Sequence, residues 1–154
     1  MEKYNKEARY ERVYSQLVKL FEGCSDPYAR MASICSVLHH KMKGFFWTGF
    51  YIIRDGELMV SVYQGPLACM ILEKNKGVCW AGIIKRETII VPDVQQFPGH
   101  IACDSRSKSE IVVPLKNDKS QIIGVLDVDS TDLNNFDKTD AIALSKITDL
   151  VFNS

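Results

Sequence analysis

Of all the side chains, Cys103 stands in the setting best suited to chemistry. It lies in the fifteen-residue segment from Pro98 to Val112, between the apolar pair Ile101-Ala102 and Asp104, ahead of a serine-rich run of mixed charge. That run is too polar and irregular for a strand, and it gives way to the apolar alternation of Glu110 to Leu115. A cysteine so placed reads as a nucleophile, because its thiolate is the soft nucleophile among ordinary side chains. His100, three residues earlier, is a candidate for lowering its pKa, although loop histidines are commonly incidental. His39 and His40 read as helix-surface residues. No C-x-x-C pair exists and the histidines lack ligand spacing, so no metal site is expected. Neither G-x-G-x-x-G nor G-x-x-x-x-G-K is present, which removes support for dinucleotide and Walker-type phosphate binding.

The elements that must position this segment follow from periodicity. Tyr10, Val13, Tyr14, Leu17, Val18, Leu20 and Phe21 recur at three and four, which predicts an amphipathic helix from Lys3 to Phe21, ended by Gly23. Ser25 or Asp26 can cap a second helix with Pro27 at its first position; Met31, Ile34, Cys35 and Leu38 continue its stripe and Gly44 closes it. The period then becomes two. Phe46 to Ile53 and Leu58 to Tyr63 are predicted antiparallel strands joined by Asp55-Gly56, a hairpin signal. Ala68 to Leu72 reads as a third strand, Gly77 to Lys85 as a short helix, and Thr88 to Val91 as a brief strand. Pro92 to Ser109 is a long loop, and loops of that length in a compact domain are usually functional. Glu110 to Leu115 and Gln121 to Val128 form the last hairpin, and Asp137 with Asp140 starts a final helix carrying Ile142, Leu144, Ile147, Leu150 and Val151.

This order predicts one α+β domain spanning residues 1–154: an antiparallel sheet of about six strands, N- and C-terminal helices packed mainly on one face, and site loops on the other. With 154 residues, 46% of them hydrophobic, the chain can bury a single core. Nineteen basic and nineteen acidic side chains cancel, so neither nucleic acid nor an anionic membrane is an expected partner. The charged N-terminus and the lack of a long apolar run predict a soluble, cytoplasmic protein. Five cysteines, an odd number, argue against a secreted disulfide framework and for thiols kept reduced between uses. Cys24, following a helix, and Cys35, on an apolar stripe, read as packing residues.

The segments GPLAC, GVC, VPDVQQFPGHIACDSRSKSEIVVPL and IIGVLDVDS resemble the signature segments of the free methionine-R-sulfoxide reductases, enzymes built on a GAF domain. The resemblance runs from about Trp47 to Asp137 and includes three cysteines: Cys69 and Cys79 ten apart, with Cys103 twenty-four later. It implies a GAF fold, reduction of free methionine-R-sulfoxide through an intramolecular disulfide, no cofactor, and thioredoxin as electron donor; whether the chain pairs as a homodimer stays open. Cys103 then corresponds to the attacking cysteine, Cys69 to the main resolving one, and Cys79 to an alternative or auxiliary one. Glu110, Asp127 and Asp129 match the family's ligand-site carboxylates, and Trp47 and Tyr51 its aromatic wall. The chain departs from the family at Trp80, where a small residue usually follows the cysteine of GVC.

The implied reaction fits these residue types. A thiolate attacks the sulfoxide sulfur, the first product is a sulfenic acid, and a second thiol condenses with it to a disulfide before over-oxidation. Protonating the departing oxygen calls for an acid held partly neutral near pH 7, which crowded carboxyls in a dry pocket supply. Asp127 and Asp129 share a strand face by their spacing, and Glu110 can join them from the next strand. Trp47 and Tyr51, four apart, also share a face. The backbone of Cys103 to Ser109 is a candidate for holding the substrate carboxylate. The rival readings are a GAF module that senses a small molecule without turnover and a thiol redox sensor whose disulfide signals to a partner.

Overall fold

A computed structural model describes residues 4–100 and 103–153. Helix α1 (Lys6–Phe21) starts later than periodicity predicts, because Asn5 is its N-cap and accepts from the Ala8 N–H. Asp26, rather than Ser25, caps α2 (Pro27–Lys41) with Pro27 in the first turn. Strands β1 (Trp47–Arg54) and β2 (Glu57–Gln64) meet through Asp55-Gly56. Both turn residues have positive φ (52° and 81°), the requirement of a type I′ hairpin. There follow β3 (Ile71–Leu72), α3 (Gly77–Lys85), β4 (Ile89–Val91), a 3-10 turn (Val94–Gln96), β5 (Ser109–Lys116), β6 (Ile122–Ser130) and α4 (Lys138–Asp149).

Among the strands, two boundaries differ from expectation in ways that bear on the site. The third strand is two residues long instead of five, since only Ile71 and Leu72 pair with β2, and the backbone of Ala68 to Met70 is irregular. Strand β6 runs on through Asp129 to Ser130, where the expected strand stopped at Val128, because Asp129 pairs on both sides, with Trp47 and with Glu110.

The six strands form one antiparallel sheet in the order β3-β2-β1-β6-β5-β4, with both chain-terminal hairpins meeting at its centre. Alternation gives the sheet two unlike faces. Phe50, Ile52, Ile111, Val113, Leu115, Leu126 and Val128 project to one side and pack with Leu17 of α1, Ile34 and Leu38 of α2 and Leu144 and Ile147 of α4. Trp47, Tyr51, Val112 and Val125 project to the other, where α3 lays Val78, Cys79 and Trp80 against them. The helices of the first side are tied at their ends. Asp137 and Asp140 form a capping box on α4, and Asp140 also accepts from Tyr10 and from Lys6 Nζ (2.7 Å) of α1. Buried Arg30 donates to the carbonyls of Phe21, Cys24, Leu150 and Asn153, satisfying acceptors that the ends of α1 and α4 leave open. His39, expected on the helix surface, is half-buried, and its Nδ1 lies 3.2 Å from Thr48 Oγ1.

Candidate active site

Sheet register assembles the acids. Glu110 lies directly across from Asp129, and Val112 across from Asp127, so the three carboxyls form a triangle on the face that α3 covers. Glu110 is 6% exposed, Asp127 5%, and Asp129 is half-buried. Burial pushes Glu110 well above the ordinary carboxylate range, and the charges of Asp127 and Asp129 push it further. Asp129 moves the same way, through burial and then Asp127. Asp127 rises only to about 6, since burial raises it while Glu110 and Cys79 pull it back down. Glu110 and Asp129 are therefore the proton-holding members at pH 7 and Asp127 the one nearest to ionising.

Trp47 is stacked between two tyrosines, with ring centroids 5.7 Å from Tyr51 and 5.3 Å from Tyr63. Gly49 makes this possible. A Cβ there would stand 2.5 Å from the Trp47 ring and 2.4 Å from Tyr63, so only glycine lets the indole lie flat across the strand. Among the described residues, the buried indole Nε1 has no hydrogen-bond partner, and neither has Oδ1 of Asp127. Both residues line one cavity, together with Tyr51, Glu110, Asp129 and Cys79. Two orphaned buried groups, one donor and one acceptor, in a shared cavity are what a polar ligand would satisfy. Trp80, in α3, is 6% exposed, and nothing in the structure explains its unpartnered Nε1.

The cysteines separate clearly. Cys69 and Cys103 are joined in a disulfide across 34 residues of chain, with Cα atoms 5.5 Å apart, and Cys103 lines the cavity. Cys103 is exposed, whereas Ile101 and Ala102 of the same motif lie outside the described residues. Tyr51 has a second part beyond the wall: its hydroxyl donates to the Cys69 carbonyl at 3.0 Å and pins the irregular Ala68–Met70 segment. Cys79 is free, 4% exposed and in the first turn of α3. Burial, then the charges of Asp127 and Glu110, push its thiol far above the ordinary range. The sulfur, a Glu110 oxygen and an Asp127 oxygen all lie within 4.8 Å of one another. A metal needs deprotonated ligands, and a thiol and a carboxyl held protonated by burial are poor ones, so the trio reads as a proton-holding cluster.

Several residues here were not legible in the sequence. His100, weighed in the sequence only as an aid to the Cys103 thiol, lines the cavity with its Nε2 3.7 Å from Glu110 Oε1. Asp104 accepts from the Arg106 backbone N–H, Nε and Nη2, and the guanidinium lies 4.8 Å above the Phe46 ring, which fastens the turn after Cys103 to the sheet. That pair holds the Asp104 carboxyl down at about 2. Lys76 and Gly77, at the start of α3, also line the cavity, and Lys76 provides no side-chain cap to the first-turn N–H groups of α3. A glycine-led helix with Lys76, rather than Ser, Thr, Asp or Asn, at its N-cap was the available signal.

The architecture is that of a GAF domain, and the GAF-domain family profile matches residues 24–151. GAF domain-containing protein A of Dictyostelium discoideum is 45% identical, with 98% of this chain and 95% of that protein aligned. The free methionine-R-sulfoxide reductase of Saccharomyces cerevisiae is 36% identical, over 98% of this chain and 90% of that one. The structure of free methionine-R-sulfoxide reductase from Neisseria meningitidis in complex with its substrate superposes with a TM-score of 0.91 at 39% identity, covering 98% of this chain and 90% of that one. The chain belongs to the free methionine-R-sulfoxide reductases.

Proposed function

We propose that this chain, as one GAF domain over residues 1–154, reduces free methionine-R-sulfoxide to methionine, with Cys103 as nucleophile and Cys69 as resolving thiol. The observation that carries the reading is the Cys69–Cys103 disulfide closing a cavity floored by Glu110, Asp127 and Asp129. In the reduced protein the Cys103 thiolate attacks the sulfoxide sulfur while Glu110, neutral by burial, gives its proton to the oxygen. Methionine leaves, and Cys103 is left as a sulfenic acid. Cys69 then attacks that sulfur, the oxygen departs as water, and the disulfide seen here forms. Asp127, the carboxyl nearest to ionising, together with Asp129 suits the substrate ammonium, and the Trp47–Tyr51 stack encloses the methyl group. The substrate carboxylate fits the uncapped start of α3 better than the Cys103–Ser109 loop, where Asp104 already occupies backbone and side-chain donors of Arg106.

Cys79, buried beside Asp127 and outside the disulfide, holds a proton near the acids rather than resolving Cys103. Reduction of the disulfide in the cytoplasm, under oxidative stress, falls to a dithiol protein of the thioredoxin type. Leu67 (86% exposed) and Met70 (74%) flank Cys69 and offer such a partner apolar surface.

The test is incubation with each epimer of free methionine sulfoxide and a thioredoxin system, comparing the parent chain with Cys103→Ser. Methionine should form from the R epimer alone, with one thioredoxin equivalent oxidised per turnover, and the variant should lose at least about a thousandfold. Turnover by the variant, or equal reduction of an N- and C-blocked substrate, would overturn the proposal. Binding without turnover would leave the ligand-sensing reading.

A further inference from the structure

Each turnover strips one proton from Glu110, and the geometry of that residue poses the question of how the proton returns. Glu110 is 6% exposed, sits on β5 and lines the same cavity as Cys103. The other ionisable groups lining the cavity divide by reach. Cys79 from α3 and Asp127 from β6 are as deeply buried as Glu110; Asp129 from β6 shares the same acid cluster and competes for the same protons. Lys76, before α3, is exposed and turned to Glu73, with Nζ 2.9 Å from Oε1. Asp104, on the loop, is committed to Arg106 in the ionised form. His100 alone of these combines proximity to Glu110, with Nε2 3.7 Å from Oε1, and a side chain that is 16% exposed.

We propose that His100 is the proton carrier between solvent and Glu110, recharging the acid after each sulfoxide has been reduced. The proposal rests on the reductase reading above. An imidazole suits the task because its two nitrogens are separate: one takes a proton from water as the other, 3.7 Å away, delivers one to the carboxylate. The balance is simple. Glu110 gives one proton to the sulfoxide oxygen, that oxygen leaves as water once Cys69 has attacked Cys103, and one proton from solvent restores Glu110 through the ring. Burial lowers the pKa of His100, so the ring is mostly neutral at pH 7 and free to accept before it donates. Its role is therefore one of supply to the acid, with no contact to the reacting sulfur required.

This predicts a division between first and later turnovers. With the prereduced parent chain, methionine formation is followed by rapid quench at a tenfold excess of free methionine-R-sulfoxide and saturating dithiothreitol. His100→Gln and His100→Ala should release the first equivalent at the parent rate, because Glu110 starts protonated. Later equivalents should slow tenfold or more, most strongly at high pH, and added imidazole should restore the His100→Ala rate. A steady-state rate equal to the parent's in both variants, or a first turnover slowed as much as the later ones with no response to imidazole, would overturn the assignment. The parent's own turnover is the separate check: if it makes no methionine, the reductase reading fails and not the role of His100 alone.

Discussion

The two faces of the sheet share strands but not economy. Phe50 and Tyr51 are consecutive, yet Phe50 packs among Leu17, Ile34, Leu126 and Leu144, whereas Tyr51 looks onto Asp127, Asp129, Cys79 and a disulfide. On the helix side the buried polar groups are satisfied: Arg30 by four carbonyls, Asp140 by Tyr10, Lys6 and the Asp137 N–H. On the α3 side the orphans accumulate, namely Trp47 Nε1, Trp80 Nε1 and Asp127 Oδ1. One face stabilises the fold and the other is tolerated by it. A site prepared for a charged ligand is left destabilised until that ligand arrives.

The largest effect expected from this contrast is on the helix side. Phe50→Ala empties a fully buried ring position and should cost about 4 kcal/mol, read from urea unfolding of the reduced chain. Asp127→Asn, whose Cα neighbours across the ladder belong to the same strands, should act in the opposite sense. The folded-state pKa of Asp127, about 6, lies above its ordinary 3.8. Folding therefore favours the proton, and the resulting stability is present below about pH 4 and lost as pH rises through 6. Above that the ionised group costs roughly 3 kcal/mol. The stability of the variant relative to the parent should accordingly climb by about that amount between pH 4 and 7, while its turnover falls. A variant uniformly less stable across that range would erase the distinction between the faces.

The legible part of the molecule was whatever depends on local period. Strand spacing alone puts Asp127 and Asp129 on a common face, and likewise Trp47 and Tyr51, and the caps at Asp26 and Asp137 follow from residue type. What stayed hidden depends on contacts across long separations or within irregular backbone. That Glu110 stands opposite Asp129, and that Asp129 is itself in β6, requires the register of a hairpin whose hydrogen bonds run past its apolar stretch. The Ala68–Met70 segment has strand-like composition but answers to Cys69 and the Tyr51 hydroxyl instead. The direction of His100 and the Arg106–Phe46 stack are set by a loop with no period to read.

The smallest effect tests the bond that links the wall to the redox pair. Tyr51→Phe keeps the ring stacked on Trp47 and removes only the hydroxyl that donates to the Cys69 carbonyl. Burial, with the charge of Asp127, raises the phenol's pKa, so the hydroxyl remains a donor throughout the working range and the loss should be independent of pH. A single neutral hydrogen bond contributes about 1 kcal/mol. If it serves to hold Cys69 within reach of Cys103, that amount appears in the resolving step, slowing disulfide closure by about fivefold and leaving the first chemical step alone. Thiol alkylation after one equivalent of substrate would read it directly: free Cys69 should persist after methionine has appeared. If closure keeps pace with methionine release in the variant, the tyrosine belongs to the substrate wall only, and the α3 face has one fewer link between binding and redox chemistry than its geometry implies.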